Sequence, residues 1–167
     1  MEKLNNEYIL SRLNQQFGDV ILSQVELHGM LTLTVDVKSI IDVLQFLKED
    51  PQLRFNYLTD ITGVHYPNQI QEFAVVYHVH NMFQNVRIRL KTYVTKDNAV
   101  VPTATVLWRG ANWMERETYD FYGIIFEGHP DLRRILNMDE LDVFPMRKEY
   151  PLEDPNRVDK KDFYFGR

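Results

Sequence analysis

Apolar residues recur along this chain with a period of three to four in some stretches and of two in others, and the switches between the two periods mark out its elements. Ile9, Leu10, Leu13 and Phe17 line one helical face, and Gly18 follows where a C-cap belongs. Residues 20–27 and then Leu31, Leu33, Val35 and Val37, the latter alternating with polar neighbours, predict a hairpin across His28-Gly29. Ser39, with Asp42 three residues on, predicts a capped second helix whose buried stripe is Ile40, Val43, Leu44 and Leu47, and Asp50-Pro51 stops it. Three extended segments near 55–66, 71–80 and 85–95, joined by turns around Pro67-Asn68 and Asn81 to Gln84, predict an antiparallel meander. In the last pair a natural register sets Phe73, Val75, Tyr77 and Val79 against Thr92, Leu90, Ile88 and Val86 on one apolar face. Arg87, Arg89 and Lys91 then occupy the opposite face.

From Pro102 onward the pattern changes to tryptophans, tyrosines, phenylalanines and dense charge, ending in a proline-punctuated segment with little periodicity. Asn112 with Glu115 resembles a capping box at a third helix start, and Arg116 and Asp120 are i,i+4 partners along it. Met114, Thr118, Phe121, Tyr122 and Ile125 share the other side, and Gly123 is placed to bend or end the helix. The element order predicts an α+β fold of two layers, helix-β2-helix-β3-helix with a mostly antiparallel sheet. A single domain is expected over residues 1–136, and an extended C-terminal partner-binding tail over 137–167. Helices cover one sheet face, so the other is solvated or meets a partner.

Composition narrows the chemistry. The 167 residues contain no cysteine, which excludes disulfides, thiolate zinc, cysteine nucleophiles and ordinary iron–sulfur ligation. No apolar run approaches the ~20 residues of a membrane span, and residues 1–6 lack the apolar core of a secretory signal. A net charge of -5 gives no long-range attraction for nucleic acid phosphates. The seven glycines are scattered and match neither dinucleotide nor P-loop spacing.

Side chains that invite a chemical role meet simpler explanations. His78 and His80 share a strand face, but a turn near 67–70 leaves His65 ~16–20 Å from His78 along the strand, and Arg87 is expected opposite His78. No metal site is expected. The Arg87, Arg89, Lys91 stripe, with Tyr93 nearby, has the charge to track a phosphate backbone but comes with no recognition motif, so a solvated face or a protein contact accounts for it. Glu115, Glu117 and Asp120 come with no nucleophile or paired base, and no catalytic residue is assigned.

The stretch from Asn112 to Pro151 is harder to explain piecemeal. In Gly128-His129-Pro130-Asp131-Leu132-Arg133-Arg134-Ile135-Leu136, Pro130 and Asp131 suit the start of a compact helical turn and the two arginines its end. Phe144-Pro145-Met146-Arg147-Lys148-Glu149-Tyr150-Pro151 runs between prolines with aromatic and apolar anchors, so it needs a surface to lie on. These two blocks, preceded by Glu115-Arg116-Glu117-Thr118-Tyr119-Asp120-Phe121-Tyr122-Gly123-Ile124, resemble in order and spacing the thirty-kilodalton, or C-type, subunit family of respiratory complex I. The chain departs from the family at Leu141 and Val143, where a tryptophan and a glycine are usual.

The resemblance implies a cofactor-free peripheral-arm subunit, non-catalytic alone, of a proton-translocating NADH:quinone oxidoreductase at the cytoplasmic face of the bacterial inner membrane. Flavin and iron–sulfur clusters belong to partner subunits. The implied partners are the quinone-site subunit, also called D or forty-nine-kilodalton, and the terminal iron–sulfur subunit, with no nucleic acid and membrane contact only through the complex. The implied docking residues are Glu115, Arg116, Glu117, Tyr119, Asp120, Gly123, Gly128, His129, Pro130, Arg133, Arg134, Pro145, Arg147, Lys148, Tyr150 and Pro151. A homologous subunit of a membrane-bound hydrogenase or of a photosynthetic ferredoxin:plastoquinone oxidoreductase shares these motifs. A stand-alone ligand-binding or hydrolytic domain is the remote alternative.

Overall fold

The computed structural model describes residues 4–151. Helix α1 (Asn6–Phe17) starts at Asn5, whose side chain accepts the Tyr8 amide, and ends at Gly18 with φ +50°; Ile9 and Leu13 are buried. Strands β1 (Ile21–Leu27) and β2 (Met30–Val35) meet through His28 and Gly29, both with positive φ, the backbone shape that a two-residue hairpin requires. Helix α2 (Ile40–Glu49) buries the four residues of the expected stripe.

The start of α2 differs from expectation. Val37 leaves the strand and joins a 3-10 turn over Val37–Ser39, where Asp36 accepts the Lys38 amide and Ser39 makes no capping bond. The chain is already coiled before Ser39, so the cap sits where the coil begins.

Strands β3 (Tyr57–His65), β4 (Phe73–Asn81) and β5 (Val86–Val94) form the expected meander. The sheet order is β1-β2-β5-β4-β3, with β2 and β5 parallel and the other pairs antiparallel. The β4–β5 register is two residues away from the expected one, since Phe73 faces Val94 and Tyr77 faces Leu90. The Asn81 carboxamide explains the shift: it accepts the amides of Phe83 and Gln84 and closes a tight loop, so pairing runs on to Asn81 and Val86. A two-residue slip keeps every side chain on its own face, which is why the apolar face survives it.

Helices α1 and α2 share one core cluster with Leu33, Phe73, Val75, Tyr77 and Leu90 of a single sheet face. On the opposite face Ala74 and Val76 are shielded by strand neighbours and belong to no such cluster. The fold is thus a two-layer α+β arrangement. Sequence periodicity missed a second, two-stranded parallel sheet of β6 (Val100–Pro102) and β7 (Ile125–Glu127), bridged by helix α3 (Ala111–Tyr122). Strands of three residues are too short to show a period.

Helix α3 approaches β3 at Gly63, where an added Cβ would stand 2.6 Å from Tyr122 Cδ2 and 3.1 Å from Thr118 Cγ2. The glycine sets how closely helix and strand pack. Gly63→Ala should therefore lower stability by about 1–3 kcal/mol through overpacking. A urea unfolding midpoint checks this, and an unchanged midpoint would mean that the helix can move off the sheet at no cost.

Candidate functional site

Helix α3 is buried on two sides. Ala111, Thr118 and Tyr122 lie toward the core, while Arg116 and Asp120 meet the chain segment that follows β7. Glu115, Arg116 and Asp120 are charged yet buried, and each is matched by a specific partner.

Glu115 is fully buried and does not form the expected capping box; Gly110 stands at the N-cap with no side-chain bond. Its carboxyl accepts the Ala104 amide at 2.6 Å and the Thr103 hydroxyl at 2.5 Å, because the loop after β6 passes directly beneath the helix. Burial pushes the carboxyl up to about 7 against the opposing pull of these two donors. His129 Nε2 lies 3.9 Å from Glu115 Oε2, and both side chains are sealed from solvent. The His129 ring accepts the Asp131 amide at Nδ1 and faces the Asn112 carbonyl at Nε2, which assigns its proton to Nε2.

Arg116 and Asp120 do not pair with each other as expected. Arg116 donates to the Arg133 and Arg134 carbonyls, and its guanidinium lies 5.3 Å from the centre of the Trp113 ring. Asp120 Oδ2 accepts the amides of Ile135, Leu136 and Asn137 at 3.1, 2.8 and 2.9 Å, and Oδ1 accepts Arg134 Nη1 at 2.8 Å. Burial would raise this carboxyl, but the Asn137 and Leu136 amides and Arg134 outweigh it and hold it well below the usual carboxylate range. The helical turn expected over 128–136 is absent, since amides that a helix would turn inward are spent on Asp120.

Arg134 also donates to the Leu141 and Val143 carbonyls. These are main-chain contacts, so the two departures from the family pattern leave them intact. Further on, Met146 donates its amide to the Phe121 carbonyl, and Lys148 donates its amide to His65 Nδ1. Arg147 Nε donates to the Tyr122 carbonyl at 2.7 Å, with its guanidinium 4.9 Å and 4.7 Å from the ring centres of Phe73 and Phe144. Gly123, at φ +72° as the expected C-cap, leaves room for this: a Cβ there would lie 2.5 Å from Phe144 and 2.7 Å from Arg147. Residues 137–151 of the expected tail thus form a strap lying on the chain's own third helix and sheet. Residues 152–167 lie outside the described residues.

The family-motif residues fall into two groups. Glu115, Arg116, Asp120, Gly123, His129, Arg134 and Arg147 point inward, and Tyr119 packs edge-on to Phe144 with Pro145 half-buried beside it. Glu117, Gly128, Pro130, Arg133, Lys148, Tyr150 and Pro151 are exposed. Gly128 and Pro130 border a cavity of about 390 Å³ together with Thr105, Val106, Arg109 and Asn112. Sequence reading missed Thr103 and Ala104, whose role depends on the β6 loop passing under α3 and leaves no local signal.

The histidines stay apart. His78 lies opposite Arg89 rather than Arg87, and Arg89 Nε donates to its Nε2 at 2.9 Å. Burial, then Arg89, push its imidazole down. His80 pairs with Asn85 and His65 with the strap. Among the described residues no group of three His, Asp or Glu is placed to hold a metal.

A family model described as respiratory-chain NADH dehydrogenase, 30 Kd subunit, matches residues 33–156. The C-type subunit of NADH-quinone oxidoreductase from Roseiflexus sp. (strain RS-1) is 45% identical over 149 residues, 89% of this chain and 86% of that protein. Its counterpart in Citrifermentans bemidjiense is 42% identical over 92% of this chain and 93% of its own length. Among solved structures, a trypsin-resistant fragment (1-134) of Nqo5 superimposes with a TM-score of 0.64 at 31% identity, covering 74% of this chain and 99% of the fragment. A chain of the membrane-bound sulfane sulfur reductase, an archaeal respiratory membrane complex, gives a TM-score of 0.74 at 26% identity over 87% of this chain and 85% of that one.

Two outcomes follow from the buried carboxyls. Between its ordinary 4.5 and about 7, the native state keeps a Glu115 proton that the unfolded chain has released, so the contribution present below 4.5 is lost as pH rises through 7. Glu115→Gln should remove this decline, a difference of about 3 kcal/mol between roughly pH 5 and pH 8. Denaturant midpoints of both proteins at the two pH values decide it, and parallel losses would refute the assignment. Asp120→Asn leaves the Arg134 guanidinium without its counter-charge and should cost about 3 kcal/mol. Hydrogen exchange at the 135–137 amides should accelerate while β4 keeps its protection.

Proposed function

This chain belongs to the respiratory-chain NADH dehydrogenase thirty-kilodalton subunit family, and from that premise we propose that it is the cofactor-free peripheral-arm subunit of a proton-translocating NADH:quinone oxidoreductase. It docks to the quinone-site subunit, sits near the terminal iron–sulfur subunit, and supports electron transfer from NADH to quinone by holding its neighbours in place. Flavin and clusters reside in those neighbours. The assembly stands at the cytoplasmic face of the inner membrane, which this chain meets only through the complex; among the described residues no helix is long and apolar enough to cross a membrane.

The observation that carries this reading is how the motif residues are used. Asp120, Arg134, Arg116 and Arg147 are consumed by bonds that fix a strap to α3, and none is left facing a cleft with a nucleophile or a free base. A rigid surface is what such an arrangement supplies. Trp113, Leu136 and Met138 stand 59%, 65% and 68% exposed around that strap, beside the charged Glu117 and Arg133, which is the mix of anchor and rim that protein interfaces use. In this reading residues 1–136 are the domain, and the segment from 137 onward is the partner-binding tail, whose residues up to 151 lie against that domain and present Lys148 and Tyr150 outward.

The likeness to the sulfane sulfur reductase chain favours one second reading, the same scaffold role in a related respiratory assembly with another electron donor. The company the chain keeps separates the two, because a flavin subunit with an NADH site accompanies only the first.

Lys148→Ala combined with Tyr150→Ala alters exposed side chains and should leave thermal stability within about 0.5 kcal/mol. The yield of quinone-site subunit recovered on the tagged full-length chain should nevertheless fall severalfold. Undiminished recovery would sink the docking assignment.

A further inference from the structure

The sheet face not covered by helices carries a charge opposite to that of the chain. The whole sequence has 24 acidic residues against 19 lysines and arginines. On β5, however, Arg87, Arg89 and Lys91 all point to the open face, about 6.6–7 Å apart as alternate residues of a strand. Their cross-strand neighbours do not neutralise them. Thr32, Arg89, His78 and Asp60 form one row, and Thr34, Lys91, Val76 and Thr62 the next. Asp60 is the one carboxylate in these two rows, and it lies toward His78, 3.7 Å away, at the far side of β4. Among the described residues no carboxylate lies within 4 Å of any of the three cations.

A solvated sheet face normally mixes signs, because like charges on neighbouring positions repel and opposite ones stabilise. Here the repulsion is left standing. Arg89 and Lys91 are half-buried along the sheet rather than extended into water, and Arg89 turns its Nε–H to His78, which keeps that imidazole an acceptor and uncharged. The positions beside the cations carry short side chains: half-buried threonines, with Val76 and Ala74 buried between the strands.

We propose that this open face of β2, β5 and β4 is a second interface, onto which a neighbouring subunit of the same assembly lays an acid-rich extended segment whose alternate carboxylates meet Arg87, Arg89 and Lys91. Charge complementarity selects the occupant, and the strand spacing of the cations matches alternate residues of an extended chain. Nucleic acid fits less well, since Tyr66 and Tyr93 on this face pack against each other, 5.9 Å between ring centres, instead of standing free to stack on bases. The interface is separate from the strap and α3, which lie on the helix side of the sheet. It rests on the subunit reading given above, because it needs an assembly to supply the neighbour.

Amine acylation of Lys91 by mass spectrometry, in the purified whole complex and in the isolated full-length chain, tests it. Lys91 should react severalfold more slowly in the complex, and carbodiimide coupling should join it to an aspartate or glutamate of another subunit. Arg87→Gln with Arg89→Gln should weaken retention of that neighbour roughly tenfold at raised salt, with the variant chain folding as before. Equal acylation in both preparations, or protection that disappears on nuclease treatment or lipid removal, overturns the proposal while leaving the subunit assignment standing. If the wild-type chain joins no assembly at all, both fall together.

Discussion

A carboxylate withdrawn from water must find compensation, and Asp120 finds it in the main chain of a segment that has no other reason to stay where it is. Three consecutive amides and one guanidinium converge on its two oxygens. Charge-assisted hydrogen bonds of this kind are about twice as strong as neutral ones, and they fix direction as well as distance. The segment from 133 to 143, which leads into the strap, is thereby held without secondary structure of its own. Arg134 extends the tie to the Leu141 and Val143 carbonyls, and Arg147 repeats the device one step later with the Tyr122 carbonyl and two aromatic rings. Breaking the first tie therefore loosens everything that follows it.

Glu115 shows the same constraint answered less completely. It has two donors where Asp120 has four, and no cation in direct contact, so burial wins and its carboxyl rises to about 7. Two acids five residues apart on one helix move in opposite directions because of what the fold brings to each. The protonated form of Glu115 suits a site sealed between α3, the β6 loop and His129. Both acids are fully buried, Asp120 tying α3 to the segment that follows β7 and Glu115 tying it to the β6 loop.

Rigidity on one side and unbalanced charge on the other give the molecule two different faces. The helix side ends in a strap that presents exposed aromatic, apolar and charged side chains on a fixed base. The open sheet presents a flat cationic surface on an otherwise acidic chain. Under the proposed subunit role, surfaces of this kind are what the chain contributes, since pre-organisation lowers the entropic cost of docking.

Periodicity and turn chemistry determined much of this without any structure. Ile9 and Leu13, the alternating residues of β2, the α2 stripe and the meander followed from side-chain period alone, and Gly18, His28-Gly29 and Gly123 marked turns that only particular backbones can make. The three motif blocks likewise identified the family from order and spacing. The tertiary structure decided what local rules cannot see. Which loop passes under Glu115, that Arg116 and Asp120 turn away from each other to hold the strap, and how far β5 slides past β4 are outcomes of contacts between residues distant in sequence. Helical spacing places a charge on a face, but whether that face meets water or a carbonyl depends on where the rest of the chain comes to lie.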